Sequence, residues 1–169
     1  MKTSEESALR KWMTLALTAL LLTGVLTACG GTGKTETVDV DLKAFYDTIE
    51  ETYGWNNGYM VDIEGDMLES YYPGLSDIRT EQFVAKMPMM SSVVNEMVFM
   101  QCETEDEADQ AAAILQDRID LQAGGGAWYP ESMEAWSRGI VIQQGTYVAM
   151  IASAEHQDEI VEAFNQKFV

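Results

Sequence analysis

The sequence predicts an α+β two-layer sandwich, a four-stranded antiparallel sheet with two long helices on one face and extra helices at the N-terminal end. Three observations predict it. From Asp41 onward, apolar residues fall into separate blocks of helical and strand spacing. A strand-strand-helix unit occurs twice, near 82–123 and near 139–169, without a residue-level repeat. Glycine, proline and capping residues mark the joins between blocks.

Each element has its own warrant. Asp41 caps a helix over Leu42–Tyr53, where Leu42, Phe45, Ile49 and Tyr53 share a face and Gly54 stops the run. A short helix follows near Glu64–Tyr72, with Met67, Leu68 and Tyr71 inward, and Pro73-Gly74 ends it. Gln82–Met87 and Val93–Cys102 read as strands. Thr104-Glu105-Asp106-Glu107 is a capping box, in which Thr104 bonds a free N–H and Glu107 bonds back. The helix it opens runs to about Ala123 on a stripe of Ala108, Ala111, Ala112, Leu115 and Ile119, and Gly124-Gly125-Gly126 ends it. Pro130 sits in the first turn of another short helix. Gly139–Gln143 and Thr146–Ser153 form a hairpin about Gln144-Gly145. Ser153 caps a last helix whose Ile160, Val161, Phe164 and Phe168 face inward.

The strands lack the alternation of a sheet with one wet face. Val94, Val98 and Met100 point one way, and Val93, Met97 and Phe99 the other. Thr146, Val148 and Met150 oppose Tyr147, Ala149 and Ile151 in the same manner. Both faces therefore need cover. The two long helices take one; the N-terminal helices or a partner take the other.

Ahead of this domain the chain carries an address. Residues 1–28 read as a signal peptide: a polar start with Lys2, Arg10 and Lys11, then the uncharged stretch Trp12–Val25. That stretch is short of the ~20 residues of a bilayer span. Leu26-Thr27-Ala28-Cys29 resembles a bacterial lipobox, with cleavage before Cys29 and diacylglycerol on its thiol. Residues 29–40 are a flexible, lipidated tether, and 41–169 a single domain. The expected location is outside the cell membrane, held by lipid.

Composition excludes several functions. The net charge is −18. Removing the first 28 residues leaves 7 basic and 26 acidic side chains, or −19. Such a surface repels phosphate backbones and anionic lipids, which disfavours nucleic acid as a partner. Ala28–Thr35, ACGGTGKT, nearly matches a phosphate-binding loop. It lacks the first glycine, the strand before it and the helix after it, so no nucleotide is expected. With Cys29 lipidated, Cys102 has no partner in the chain, and as the end of an apolar run it reads as a buried hydrophobe.

Chemistry-bearing motifs are few. His156, the single histidine, sits in the first turn of the last helix, and no G-x-S-x-G elbow accompanies it. Neither H-E-x-x-H nor C-x-x-C occurs, so no metal site is expected, and no cofactor is implied. Asp62–Asp66 and Glu103–Glu107 are carboxylate-rich but lack the spacing of a calcium loop. Glu96 stands out. It lies within VVNEMVFM on the face of Val94 and Val98, where a half-buried carboxylate must be paired or protonated. It either holds a ligand or bonds a neighbour such as Tyr147. Met97 and Met100 belong to a methionine cluster fit for an adaptable binding surface or for core filling.

The lipobox, DVDLKAFYDTIEE, NEMVFM, TEDEADQAAAILQDRID, WYPESMEAW and GIVIQQGTYVAMIAS follow one another in that order. In this the chain resembles small lipoproteins of Gram-positive anaerobes that carry a domain of unknown function, the domain-of-unknown-function 4358 family. The resemblance implies a glutamate matching Glu96 and an aromatic or aliphatic residue matching Tyr147, and it implies no activity. The expected function is a non-catalytic module that binds an envelope protein or peptide, with Glu96, Tyr147, Met97 and Met100 as candidate binding residues. A solute-binding lipoprotein and an envelope hydrolase using carboxylates are the alternatives.

Overall fold

The computed structural model describes residues 38–55, 58–90 and 92–169. The expected signal peptide, the lipobox with Cys29, most of the tether and the phosphate-loop near-match lie outside the described residues. Val38–Val169 forms one compact unit.

Its elements are α1 (Leu42–Tyr53), β1 (Met60–Asp62), α2 (Asp66–Tyr71), a 3-10 turn (Leu75–Asp77), β2 (Thr80–Pro88), β3 (Asn95–Cys102), α3 (Glu105–Leu121), α4 (Pro130–Ser137), β4 (Ile140–Gln144), β5 (Tyr147–Ser153) and α5 (Gln157–Asn165). The sheet has five strands, not four, in the order β1-β2-β3-β5-β4, with every neighbouring pair antiparallel. The additional strand is β1. Three residues are too short to show a period of two, so its sequence reads as loop. Its pairing with β2 sets Asp62 across from Lys86, and their side chains meet at 2.8 Å.

The two long helices lie on opposite faces of the sheet, so the sandwich has three layers rather than two. Val98, Met100 and Cys102 of β3, with Val148, Met150 and Ala152 of β5, pack with Ala108, Ala111, Leu115 and Ile119 of α3. Trp136 of α4 and Tyr72 after α2 complete that side. The other face, Met97, Phe99, Ala149 and Ile151, packs with Leu42, Phe45 and Ile49 of α1 and with Ile160 and Phe164 of α5. Phe45, Phe99 and Phe164 meet there with ring centres 5.2–5.8 Å apart. The physical reason is the one the strand pattern hinted at. β3 and β5 are central and apolar on both faces, and each face costs stability unless a helix covers it. Both faces are thus covered within the chain.

Local details depart from expectation at three places. Asp41 does cap α1, accepting from Ala44 N–H at 2.9 Å. At α3, Thr104 accepts from Glu107 N–H at 3.2 Å, but Glu107 does not bond back to the Thr104 N–H; its carboxylate accepts from the Thr104 hydroxyl and from Arg79. Ser153 belongs to β5, and the cap position of α5 is His156 at φ 60°, where its side chain makes no capping bond. Met67 is exposed rather than inward.

Candidate functional site

Glu96 sits on β3 opposite Ala152 of β5, on the α3 side of the sheet, and is 3% exposed. A bare carboxylate there would be untenable. Arg118, in the last turn of α3, supplies the partner: Nε donates to Oε1 at 2.9 Å and Nη2 to Oε2 at 2.9 Å, a two-pronged fork. The Tyr72 hydroxyl donates to Oε1 at 2.5 Å. Rings surround the guanidinium, with centres 4.6 Å away at Tyr71, 5.3 Å at Trp136 and 5.7 Å at Tyr72.

The electrostatics follow from this packing. Burial opposes the charge on Arg118, yet the hydrogen bonds and charge of Glu96 outweigh it and hold the guanidinium above its ordinary value. Burial, and then the charge of Glu96, push the Tyr72 phenol well above its usual range, so it stays a donor.

Over this group lies a cleft of about 390 Å³. Its walls include Tyr71, Met87, Met90, Trp128, Tyr129 and Trp136. Trp128 is 93% exposed, and Tyr129 and Met90 are also exposed. The segment after α3 places them. Gly125 holds φ 124°, a backbone angle that disfavours other residues, and a Cβ on Gly126 would come within 2.8 Å of the Leu121 carbonyl oxygen. The turn this allows delivers Trp128 and Tyr129 ahead of α4. Among the described residues the charged side chains of the lining are Glu96 and Arg118, already paired, so this lining is neutral within a strongly acidic chain. Arg118 Nη1 stands outside the fork that holds Glu96.

A family model described as "Domain of unknown function (DUF4358)" matches residues 53–153. The chain belongs to this family. No curated protein and no solved structure matches the chain. The DUF4358 segment runs from the end of α1 through β5, so it contains all five strands and the whole cleft, whereas α5 and most of α1 lie outside it.

Within the DUF4358 domain, the other candidate residues go elsewhere. Met97 and Met100 are fully buried, on opposite faces of the sheet. Tyr147 is buried against Phe168 on the α1 face, and its hydroxyl accepts from Val40 N–H at 3.2 Å. None of the three lines the cleft. His156 stacks on Tyr53 with ring centres 4.1 Å apart. Cys102 is buried, and burial followed by the Glu107 carboxylate pushes its thiol up to about 11. Among the described residues, no group of three His, Cys, Asp or Glu is placed to hold a metal ion, and no helix is long and apolar enough to cross a membrane.

The residues that sequence reasoning missed are Arg118, Tyr72 and the aromatic wall. A signal for Arg118 existed. It falls three residues after Leu115 and seven after Ala111, on the flank of the buried stripe, where a cation needs an anion. Trp128 and Tyr129 were visible as aromatics beside a Gly-rich break, but nothing local says that they stay exposed.

Proposed function

We propose that the DUF4358 domain is a non-catalytic binding module, displayed outside the cytoplasmic membrane by lipid on Cys29, and that the cleft over Glu96 and Arg118 is where it binds. One observation carries this: exposed aromatic and methionine side chains stand around a rigid, internally paired ion pair. Tryptophan, tyrosine, methionine and arginine are the residues that concentrate binding energy at recognition surfaces. Their usual alternative, burial, is denied to Trp128 by a turn that holds it out.

The same geometry weighs against acid–base chemistry. Among the described residues Glu96 is the one carboxylate in the lining, and both its oxygens already accept hydrogen bonds. A hydrolase built on carboxylates needs one free to give a proton and one free to take it. A second binding reading, a solute-binding lipoprotein, is favoured by volume, since about 390 Å³ is the size of a small-ligand pocket.

Two experiments test the proposal. Intact-mass analysis of the membrane fraction should find Cys29 as a diacylated N-terminus, and Cys29→Ser should leave the membrane; an unmodified thiol would remove the anchor. A photoreactive residue at Met90 should then crosslink an envelope component in cells, and Trp128→Ala should abolish the capture while the domain stays folded. Capture that survives Trp128→Ala would move the binding site elsewhere.

A further inference from the structure

We infer that the ligand of this cleft is an uncharged glycan, an inference that rests on the cleft being the binding site and narrows it to one class of ligand. The first argument is charge. The chain carries −18, yet among the described residues the charges lining the cleft are Glu96 and Arg118, bound to each other. A cleft that selected a cation would hold unpaired carboxylates on its walls. One that selected an anion would present an uncompensated Arg or Lys, and would work against the field of the whole domain. Charge complementarity therefore points to a neutral ligand.

The second argument is shape. Trp128 and Tyr129 both line the cleft and expose ring surface to solvent, Trp128 almost in full. Such faces are apolar, with a polar tip at the ring edge. The C–H face of a pyranose ring is their counterpart: flat, apolar, and rimmed with hydroxyls that keep their bonds to water while the face is stacked.

The third argument is hydrogen bonding at the floor. The Arg118 side chain is 10% exposed, lines the cleft, and spends Nε and Nη2 on Glu96, leaving Nη1 outside that fork. A hydroxyl both accepts and donates. It can accept from Nη1 and donate to a remaining lone pair on Glu96, adding to the pair without breaking it. A ligand carboxylate would compete with Glu96 for the fork, and an ammonium group has no lone pair with which to accept from Nη1.

The test uses the full chain in detergent micelles. Chitotetraose, cellotetraose and maltotetraose are titrated to millimolar concentration, with binding read by calorimetry and by tryptophan emission. At least one should give a saturable heat and a blue shift, because Trp128 leaves water. Trp128→Ala should weaken that binding by about tenfold or more, and Tyr129→Ala less, with the unfolding midpoint unchanged. Arg118→Lys, which keeps the charge and removes the fork, should weaken it as well. Absence of saturable binding by all three sugars overturns the inference, as does binding that Trp128→Ala leaves intact. If the photoreactive residue at Met90 captures a protein or peptide while the sugars fail, the glycan is wrong and the cleft remains the binding site. If neither binds, both readings fall.

Discussion

One sheet presents two faces, and they are built to different ends. The face under α1 and α5 is closed by apolar side chains, with Phe45 set edge-on to Phe99 and Phe164, which stack on each other at its centre. The face under α3 and α4 uses small residues, Ala108 and Ala111, to bring its helix close, and then gives up apolar packing at one end for Glu96, Arg118 and Tyr72. Both faces come from the same two central strands. The difference teaches how one sheet can carry two kinds of interior: a buried ion pair seldom outperforms apolar packing of equal volume, so its presence beside an open cleft supports the proposal that this is the binding face.

Breaking either face should be costly, but in distinguishable ways. Phe99→Ala leaves a cavity among three rings, and should lose about 3–5 kcal/mol in urea unfolding. The molecules that remain folded should bind as before, because Phe99 lies on the other face and does not line the cleft. Arg118→Ala should lose a similar amount, about 3–5 kcal/mol, since it strands Glu96 in a site with little water. The double variant Glu96→Leu with Arg118→Met sharpens the contrast. It should recover most of that loss in urea unfolding and still fail to bind. Recovery of binding by the double variant would contradict the role given to the pair.

A smaller effect appears in alkali. The Cys102 thiol, against α3, is held near 11 in the folded domain and near 9 when free. Because the folded value is the higher one, its contribution is complete below about pH 9 and is lost as pH rises toward 11, amounting to about 2–3 kcal/mol. Tyr72 is raised in the same direction and should steepen the decline at higher pH. Unfolding free energies measured across this window should fall with pH, and Cys102→Ala should flatten the part of the curve between 9 and 11.

How much of this was legible beforehand follows from the range of each interaction. α1, α3 and the hairpin β4-β5 are local objects, set by Asp41, Thr104, Gly54 and Gly145 and by apolar spacing, and the sequence displays all of them. The need for cover on both sheet faces was also visible, because Met97, Phe99, Val98 and Met100 alternate apolar with apolar. The side on which each helix lands was not, since α3 and α5 both carry one apolar stripe and either face would accept it. Glu96 was legible as a carboxylate in need of a partner; Arg118, twenty-two residues away on another element, was not legible as that partner. Met97 and Met100 show the converse. Their clustering fits either a binding surface or core filling, and the central strands put them in the interior.

The smallest stability effect carries the most information about the open face. Trp128 is 93% exposed, so Trp128→Ala removes little packing and should change the unfolding free energy by less than about 0.5 kcal/mol. On the α1 face, removal of an aromatic is felt by the whole domain; here it should be felt only by whatever occupies the cleft. A pairwise measurement decides it: urea unfolding and ligand binding on the same Trp128→Ala sample. Unchanged unfolding with lost binding places Trp128 among the recognition residues. A loss of several kcal/mol would instead mean that its ring packs in solution, and that the two faces of the sheet are less different than their side chains suggest.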